Sequence, residues 1–250
     1  MSNHLSLRSG NPVLKANTFI QRQTTIDTGT MTITGTVNKT ALGLLLLMTT
    51  AIFTWNMAPT DPRISALMMV GIFGGLIAAI ITVFKRHLAP YTTPIYALLE
   101  GLALGGISRF FETLYPGIVN QAVFLTFGTL AALLFAYQSG LIKPTENFKL
   151  GIVAATGGIF FVYIISFILG LFGVQVPLIH SNSNFGILFS FGVVVIAALN
   201  LVLDFDFIEE GAEIGAPKYM EWFGAFGLLV TLVWLYLEIL HLLAKLQSRR

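Results

Sequence analysis

FGAFGLLVTLVWLYLEILHLL, residues 223–243, is the stretch that decides the fold. As a helix it is long enough to cross the hydrocarbon core of a bilayer, and it is apolar except for Thr231, Tyr236, Glu238 and His241. A carboxylate on such a span costs free energy unless it faces protein or water, so Glu238 is predicted to point into a helical bundle. The last span is therefore predicted to lie at the centre of the bundle.

The composition is that of an integral membrane protein. Of the 250 residues, 55% are hydrophobic and 10% are charged, whereas about 25% of the residues of a soluble domain are charged. The sequence has no sustained alternation of apolar and polar residues, so its spans are predicted to be helices and not barrel strands. The net charge of +2 comes from scattered basic residues, which excludes a basic patch for nucleic acid. The absence of cysteine excludes disulfides and thiolate metal sites.

Seven apolar runs have about the length that a bilayer requires. They lie near residues 41–57, 64–84, 91–111, 118–137, 149–172, 185–207 and 223–243. Pro, Gly and polar residues punctuate the connections between them, and these residues end helices. The prediction is an all-α integral membrane protein, with a seven-helix membrane domain at residues 38–250 after a cytoplasmic arm at residues 1–37.

The distribution of basic residues predicts the orientation in the membrane. Basic residues that precede a first span favour a cytoplasmic N-terminus. With seven spans, the inner side then holds Arg8, Lys15, Arg22, Lys39, Lys85, Arg86, Lys143, Lys149 and Lys218, and the outer side holds Arg63, Arg109, Lys245, Arg249 and Arg250. The C-terminal cluster would prefer the cytoplasm, which leaves open that one span is re-entrant.

Ionisable residues within the spans are the candidates for function. Arg109 and Glu112 lie three residues apart near a helix end, and this spacing predicts a mutual ion pair. Glu100 lies well within the third span, where it could hydrogen-bond to a neighbouring helix. Asp204 and Asp206 are two apart and so face roughly opposite directions on a helix, which predicts that only one of them points into the bundle.

The sequence does not support a catalytic site. Gly106, Ile107 and Ser108 begin a serine-nucleophile pattern, but the residues that follow, Arg109 and Phe110, do not supply the glycine that completes it. No HExxH pair occurs, and the four histidines are scattered. The chain is therefore predicted not to be an enzyme and to hold no cofactor.

Six motifs occur in order along nearly the whole chain from Asn11. They are NPVL at 11–14, GTVNKT at 35–40, EGLALGGIS at 100–108, YPGIVNQA at 115–122, LNLVLDFDFIE at 199–209 and WLYLEILHLL at 234–243. Together they resemble the Bax inhibitor-1/YccA-like family, in particular its bacterial branch. The resemblance implies a multi-pass protein of the bacterial cytoplasmic (inner) membrane, in which the last of seven helices lies among the other six. It also implies a pH-sensitive calcium leak.

The resemblance further implies which residues carry that function. In the family, an acid at the end of the sixth helix pairs with an acid in the seventh, and the local patterns LVLDF and WLYLEIL assign these roles to Asp204 and Glu238. Asp206 competes with Asp204 for the first role. Some relatives also latch an acid of the second helix to a basic residue at its end; Arg86 stands at that end here, and Glu100 is the candidate to replace the missing acid.

The proposed pair has a physical logic of its own. Two carboxylates that face each other in a low-dielectric bundle share one proton and titrate in coupled steps. When both are ionised, their oxygens are suitable ligands for calcium, so Asp204 and Glu238 are also predicted to contact a permeating calcium ion transiently. The expected function is a passive, pH-sensitive calcium leak through the bilayer, gated by this pair.

Two alternatives stay open at this point. The chain could be a membrane interaction protein that regulates a partner, such as a membrane quality-control protease, through residues 1–37. It could also be a proton-coupled exchanger, which would move calcium against its gradient when a pH step is applied.

Overall fold

The computed structural model describes residues 29–58, 60–173 and 183–249, and within them the chain forms seven α-helices. They are α1 Ile33–Trp55, α2 Arg63–Phe84, α3 Ala89–Leu114, α4 Ile118–Gln138, α5 Glu146–Leu171, α6 Asn184–Glu213 and α7 Met220–Gln247, with a short 3-10 helix at Arg86–Leu88. The predicted all-α membrane fold is confirmed. Residues 1–28 of the predicted arm lie outside the described residues.

Helix α1 begins earlier than its apolar run. It starts at Ile33, where the side chain of Thr32 accepts a hydrogen bond from the backbone N–H of Gly35 and so caps the helix. The apolar run near residues 41–57 misses this first part because that part contains polar residues, some of which face protein. Thr36, for example, is fully buried and lies against Gly224 of α7. The helix thus begins inside the segment assigned to the arm.

Six of the seven helices are long and apolar enough to span a membrane, and α3 is the exception among those described. Helix α3 carries Glu100, Arg109 and Glu112, which lower its hydropathy. It packs against α1, α2 and α7. Since neighbouring helices cover much of α3, it does not need the uniformly apolar surface that lipid requires of an exposed helix.

Helix α7 occupies the centre of the bundle. It packs against α1, α3, α4 and α6 and reaches α5 through a hydrogen bond between Tyr163 and Glu238. In its most apolar 18-residue window, 56% of the residues are buried, against 11–33% in the other five apolar spans. The central position predicted from Glu238 is confirmed.

The helices turn polar side chains inward and aromatic side chains outward. Thr36, Thr54, Thr82 and Thr93 are fully buried, and each hydroxyl donates to a backbone carbonyl, in most cases one turn earlier on its own helix. In contrast, the large side chains of several Phe residues, such as Phe124, are exposed on the outside of the bundle. This inversion of the soluble pattern is what a lipid environment favours.

Glycines allow the backbones of α1 and α3 to meet. A Cβ atom on Gly101 would lie 2.1 Å from the carbonyl oxygen of Leu47, and one on Gly105 would lie 2.1 Å from the carbonyl oxygen of Ala51. Both distances are far shorter than any tolerated contact, and the atoms met are backbone atoms that cannot rotate away. The close packing predicted from small-residue spacing therefore exists in α3.

Replacing Gly105 by Ala should destabilise the bundle by about 1–3 kcal/mol, because the added methyl group overlaps the backbone of α1. The measurement is the thermal unfolding midpoint of the purified protein in detergent. Gly157→Ala in α5 is the matched control, since a Cβ atom there meets nothing within 4 Å. A midpoint for Gly105→Ala equal to that of the control would contradict the close contact.

Seven membrane-crossing helices would place the two ends of the chain on opposite sides of the membrane. A reporter fused before Met1 and one fused after Arg250 should therefore show opposite locations in a protease-accessibility assay. Both reporters on the same side would mean that one helix does not cross the membrane. Helix α3 would be the first candidate, because it is the least apolar of the seven.

Candidate functional site

Asp204 of α6 points at the central helix. Thr231 of α7 donates a hydrogen bond to its side chain, and Gly227, one turn earlier, leaves room for it. A Cβ atom on Gly227 would lie only 3.3 Å from the Oδ1 atom of Asp204. The Oδ2 atom is buried and has no hydrogen-bond partner among the described residues. A buried carboxylate oxygen without a partner is costly, which is typical of a functional position.

A cavity of about 440 Å³ opens beside this carboxylate, between α5, α6 and α7. It is called the Asp204 cavity below. Its lining residues are Lys149, Val153, Leu203, Asp204, Asp206, Phe207, Glu210, Phe223, Gly224, Phe226 and Gly227. Three of these residues are acidic and one is basic, so the cavity favours a cation over an anion.

Asp206 lines the same cavity as Asp204 but is bound by a lysine. The Nζ atom of Lys149 lies 2.6 Å from the Oδ2 atom of Asp206, and it also lies 3.4 Å from Glu146. The two neighbouring acids thus differ in their partners, although both border the cavity. Asp206 has a charge partner, whereas Asp204 has only the hydroxyl of Thr231.

Glu238 is buried and its carboxylate is held by two side chains. The hydroxyl of Tyr163 in α5 donates to its Oε1 atom at 2.8 Å, and the indole N–H of Trp234, one turn earlier in α7, donates at 3.2 Å. The side chain points into the bundle, as the sequence predicts. The bond from Tyr163 joins α7 to α5, a helix that has few buried residues.

The structure does not bring Asp204 and Glu238 together. Asp204 bonds to Thr231, and Glu238 follows seven residues later, which is roughly 10 Å further along the helix axis. The hydrogen bonds that the structure shows for Glu238 come from Tyr163 and Trp234. In this conformation a proton shared between the two carboxylates therefore has no geometric basis. The local sequence patterns identify the two acids, but they do not fix the register between the two helices and so could not predict this separation.

Glu100 lies between α2 and α3 at nearly the depth of Asp204. Its Oε2 atom would be 2.8 Å from a Cβ atom on Gly75, so this glycine makes room for the carboxylate. The hydroxyl of Thr93 donates to the carbonyl of Trp222, and Ser108 bonds to Tyr236. These two contacts set the register of α3 and α7. They place Glu100 at the depth of Leu229. This residue lies on α7 between Gly227 and Thr231, the two residues that contact Asp204.

Arg86, the other secondary candidate, lies at the end of α2 on the side of the N-terminus. Its guanidinium group stacks over the ring of Phe223, with 5.3 Å to the ring centroid. Phe223 lines the Asp204 cavity. Arg86 therefore supports the cavity wall, and the structure shows no bond that joins it to Glu100.

The predicted ion pair between Arg109 and Glu112 is wrong. Glu112 accepts hydrogen bonds from the backbone N–H groups of Gly117 at 2.7 Å and Val119 at 3.1 Å. The left-handed conformation of Gly117 turns the start of α4 back over this carboxylate, and the amides at a helix N-terminus attract negative charge. Arg109 instead lies over the ring of Trp55, at 5.6 Å.

The described residues contain no group of three or more His, Asp or Glu side chains placed to hold a metal ion. Calcium prefers six to eight oxygen ligands. The predicted transient calcium contacts at Asp204 and Glu238 stay a prediction.

Glu221, at the start of α7, is a buried acid that was not among the predicted functional residues. Its side chain is fully buried and accepts bonds from the backbone N–H of Thr32 at 2.9 Å and the hydroxyl of Thr32 at 2.7 Å. Lys218 lies at 2.7 Å, and Lys39 of α1 also binds the carboxylate. Acidic residues are common in the first turn of a helix, so the position of Glu221 does not indicate a functional role. Its main partners lie more than 180 residues away, so no local pattern could have identified the cluster.

The comparisons with known proteins agree with the resemblance. The sequence profile of the family described as "Bax inhibitor 1 like" matches residues 11–248. A search of the curated proteins and a search of the solved structures each gave no match. Because the match extends over all seven helices and nearly the whole sequence, the chain belongs to the Bax inhibitor 1 like family of multi-pass membrane proteins.

Proposed function

We propose that this protein is a passive, pH-modulated calcium leak of the bacterial cytoplasmic membrane, with its N-terminus in the cytoplasm. One observation carries the proposal. Asp204 has a buried carboxylate oxygen without a hydrogen-bond partner, at a cavity lined by two further acids. Such an oxygen is suited to bind either a proton or a cation.

In the proposed mechanism, protons and calcium ions compete for the carboxylate of Asp204. Protonation removes the negative charge of Asp204 and with it the attraction for a divalent cation. Ionisation restores a hard oxygen ligand at the inner end of the bundle, beside Asp206 and Glu210. Asp206 is already neutralised by Lys149, so Asp204 is the acid whose charge state changes the cavity most.

Glu238 is proposed as a second proton site in series with Asp204. It lies further along α7 toward the other side of the membrane, where Tyr163 and Trp234 hold it. An ion that follows α7 would meet the two carboxylates in succession. The two acids then sense protons separately and are not expected to share one proton, given the roughly 10 Å of helix between Thr231 and Glu238.

Calcium flux into liposomes that contain only this protein, measured across a pH series, tests the proposal. Asp204→Asn should remove most of the pH dependence, because the amide no longer titrates. Asp206→Asn is the matched control two residues away; it should keep the shape of the pH profile even if the total flux changes. A profile flattened by Asp206→Asn and unchanged by Asp204→Asn would contradict the assignment.

The double variant Asp204→Asn with Glu238→Gln tests whether the two acids act separately. Groups more than about 7–10 Å apart without shared partners have effects that add to within about 0.5 kcal/mol. The effects of the two substitutions on flux at a fixed pH should therefore add as free energies. A double variant no different from either single variant would instead show that the two carboxylates act as one unit.

A complete absence of calcium flux at every pH would overturn the proposal. The interaction-protein alternative would then take its place, with the arm as the element that contacts a partner. In that case, deletion of residues 1–28 should abolish co-purification of the partner while the helical content measured by circular dichroism stays unchanged.

A further inference from the structure

Residues 29–32, called the strap below, run alongside the connection between α6 and α7. The backbone N–H of Met31 donates to the carbonyl of Ala216 at 2.7 Å, and Thr30 forms an antiparallel bridge with Pro217. The strap thus adds a short extended pairing to a protein that is otherwise helical in its described residues. It joins the start of α1 to the start of α7.

A socket built by two glycines holds the side chain of Met31. The side chain is 2% exposed, and its Sδ atom would lie 2.9 Å from a Cβ atom on Gly211 of α6. Its Cε atom would lie 3.5 Å from a Cβ atom on Gly224 of α7. Since Gly224 also lines the Asp204 cavity, the strap packs directly against one wall of that cavity.

Glu221 binds the last residue of the strap. Its carboxylate takes two hydrogen bonds from Thr32, at the end of the strap, and binds Lys39 of α1 and Lys218 of the connection. A Cβ atom on Gly35 would lie 2.1 Å from the Oε1 atom of Glu221, so the carboxylate leaves no room for a side chain at this position of α1. Three separate segments are therefore held together by one fully buried charge.

We propose that Glu221 and the strap form a latch that sets access to the Asp204 cavity from the side of the N-terminus. Besides its backbone contacts with residues 216 and 217, the strap is held by two side-chain attachments, the buried Met31 and the carboxylate of Glu221. The loss of one of these should shift the strap from its docked toward an undocked position. When the strap leaves, Gly211 loses the side chain that covers it, and Gly224 loses one of the three side chains packed against it. The first turn of α7, which ends at Phe223 of the cavity wall, then has fewer contacts to hold it.

This regulatory role rests on the proposed function, but access to the cavity can be measured without any ion flux. The chain has no cysteine, so a single Leu203→Cys substitution places one thiol in the lining of the cavity. The readout is the rate at which a positively charged methanethiosulfonate reagent, added from the side of the N-terminus, modifies this thiol.

Glu221→Gln and, separately, Thr32→Val should each raise the modification rate. Thr32→Val removes the hydroxyl that donates to Glu221 and that also caps α1 at Gly35. The loss of the hydrogen bond to the charged group should by itself shift the latch about tenfold toward the undocked position. Thr32→Ser keeps the hydroxyl and should keep the wild-type rate. Glu209→Gln is the control for general loosening, because Glu209 lies at the same end of α6 but binds Tyr137 of α4.

An unchanged rate in both Glu221→Gln and Thr32→Val would overturn the latch, as would an equal rise in Glu209→Gln. If Glu221→Gln does not yield a folded protein, as judged by its thermal unfolding midpoint, the comparison of Thr32→Val with Thr32→Ser decides. A wild-type protein without calcium flux refutes the proposed function alone, since the modification rates still show whether Glu221 and the strap control the cavity.

Discussion

The absence of water in the bilayer core is the constraint on which the rest of this structure depends. A carboxylate in that region must find protein partners, and the seventh helix carries one in the middle of an apolar run. Glu238 meets this requirement through Tyr163 and Trp234. A helix bound by this need cannot lie on the outside of the bundle, so α7 becomes the element around which α1, α3, α4 and α6 pack.

The same constraint explains how the other helices fit together. Threonine hydroxyls turn inward and donate to backbone carbonyls, which leaves no buried hydroxyl unpaired at these positions. Where two helices must come closest, as α1 and α3 do at Gly101 and Gly105, the side chain is omitted and backbones touch. Apolar burial contributes little to association in lipid, so these close contacts and hydrogen bonds carry the packing.

Against this background, the charged groups near the N-terminal side fall into two kinds. Asp206 and Glu221 are held by lysines and join helices to one another. Asp204 has only a threonine hydroxyl and keeps one oxygen unpaired beside a cavity. A paired acid stabilises an arrangement, whereas an unpaired buried acid changes charge at modest cost when protons or cations arrive. This difference makes Asp204 the centre of the proposed function and Glu221 the centre of the proposed latch.

The sequence by itself determined the membrane class, the number of helices, the central position of α7 and the family, because these follow from apolar length, composition and ordered motifs. It also predicted that Glu238 faces the bundle and that one of Asp204 and Asp206 does, and the family resemblance favoured Asp204. Only the tertiary structure decided that these two acids lie at different depths, that Glu112 caps α4 instead of pairing with Arg109, and that Glu221 gathers Thr32 and Lys39. The physical reason is that helical periodicity fixes the face on which a side chain lies, whereas the register between two helices, and so the partner of a charge, depends on contacts between residues far apart in the chain.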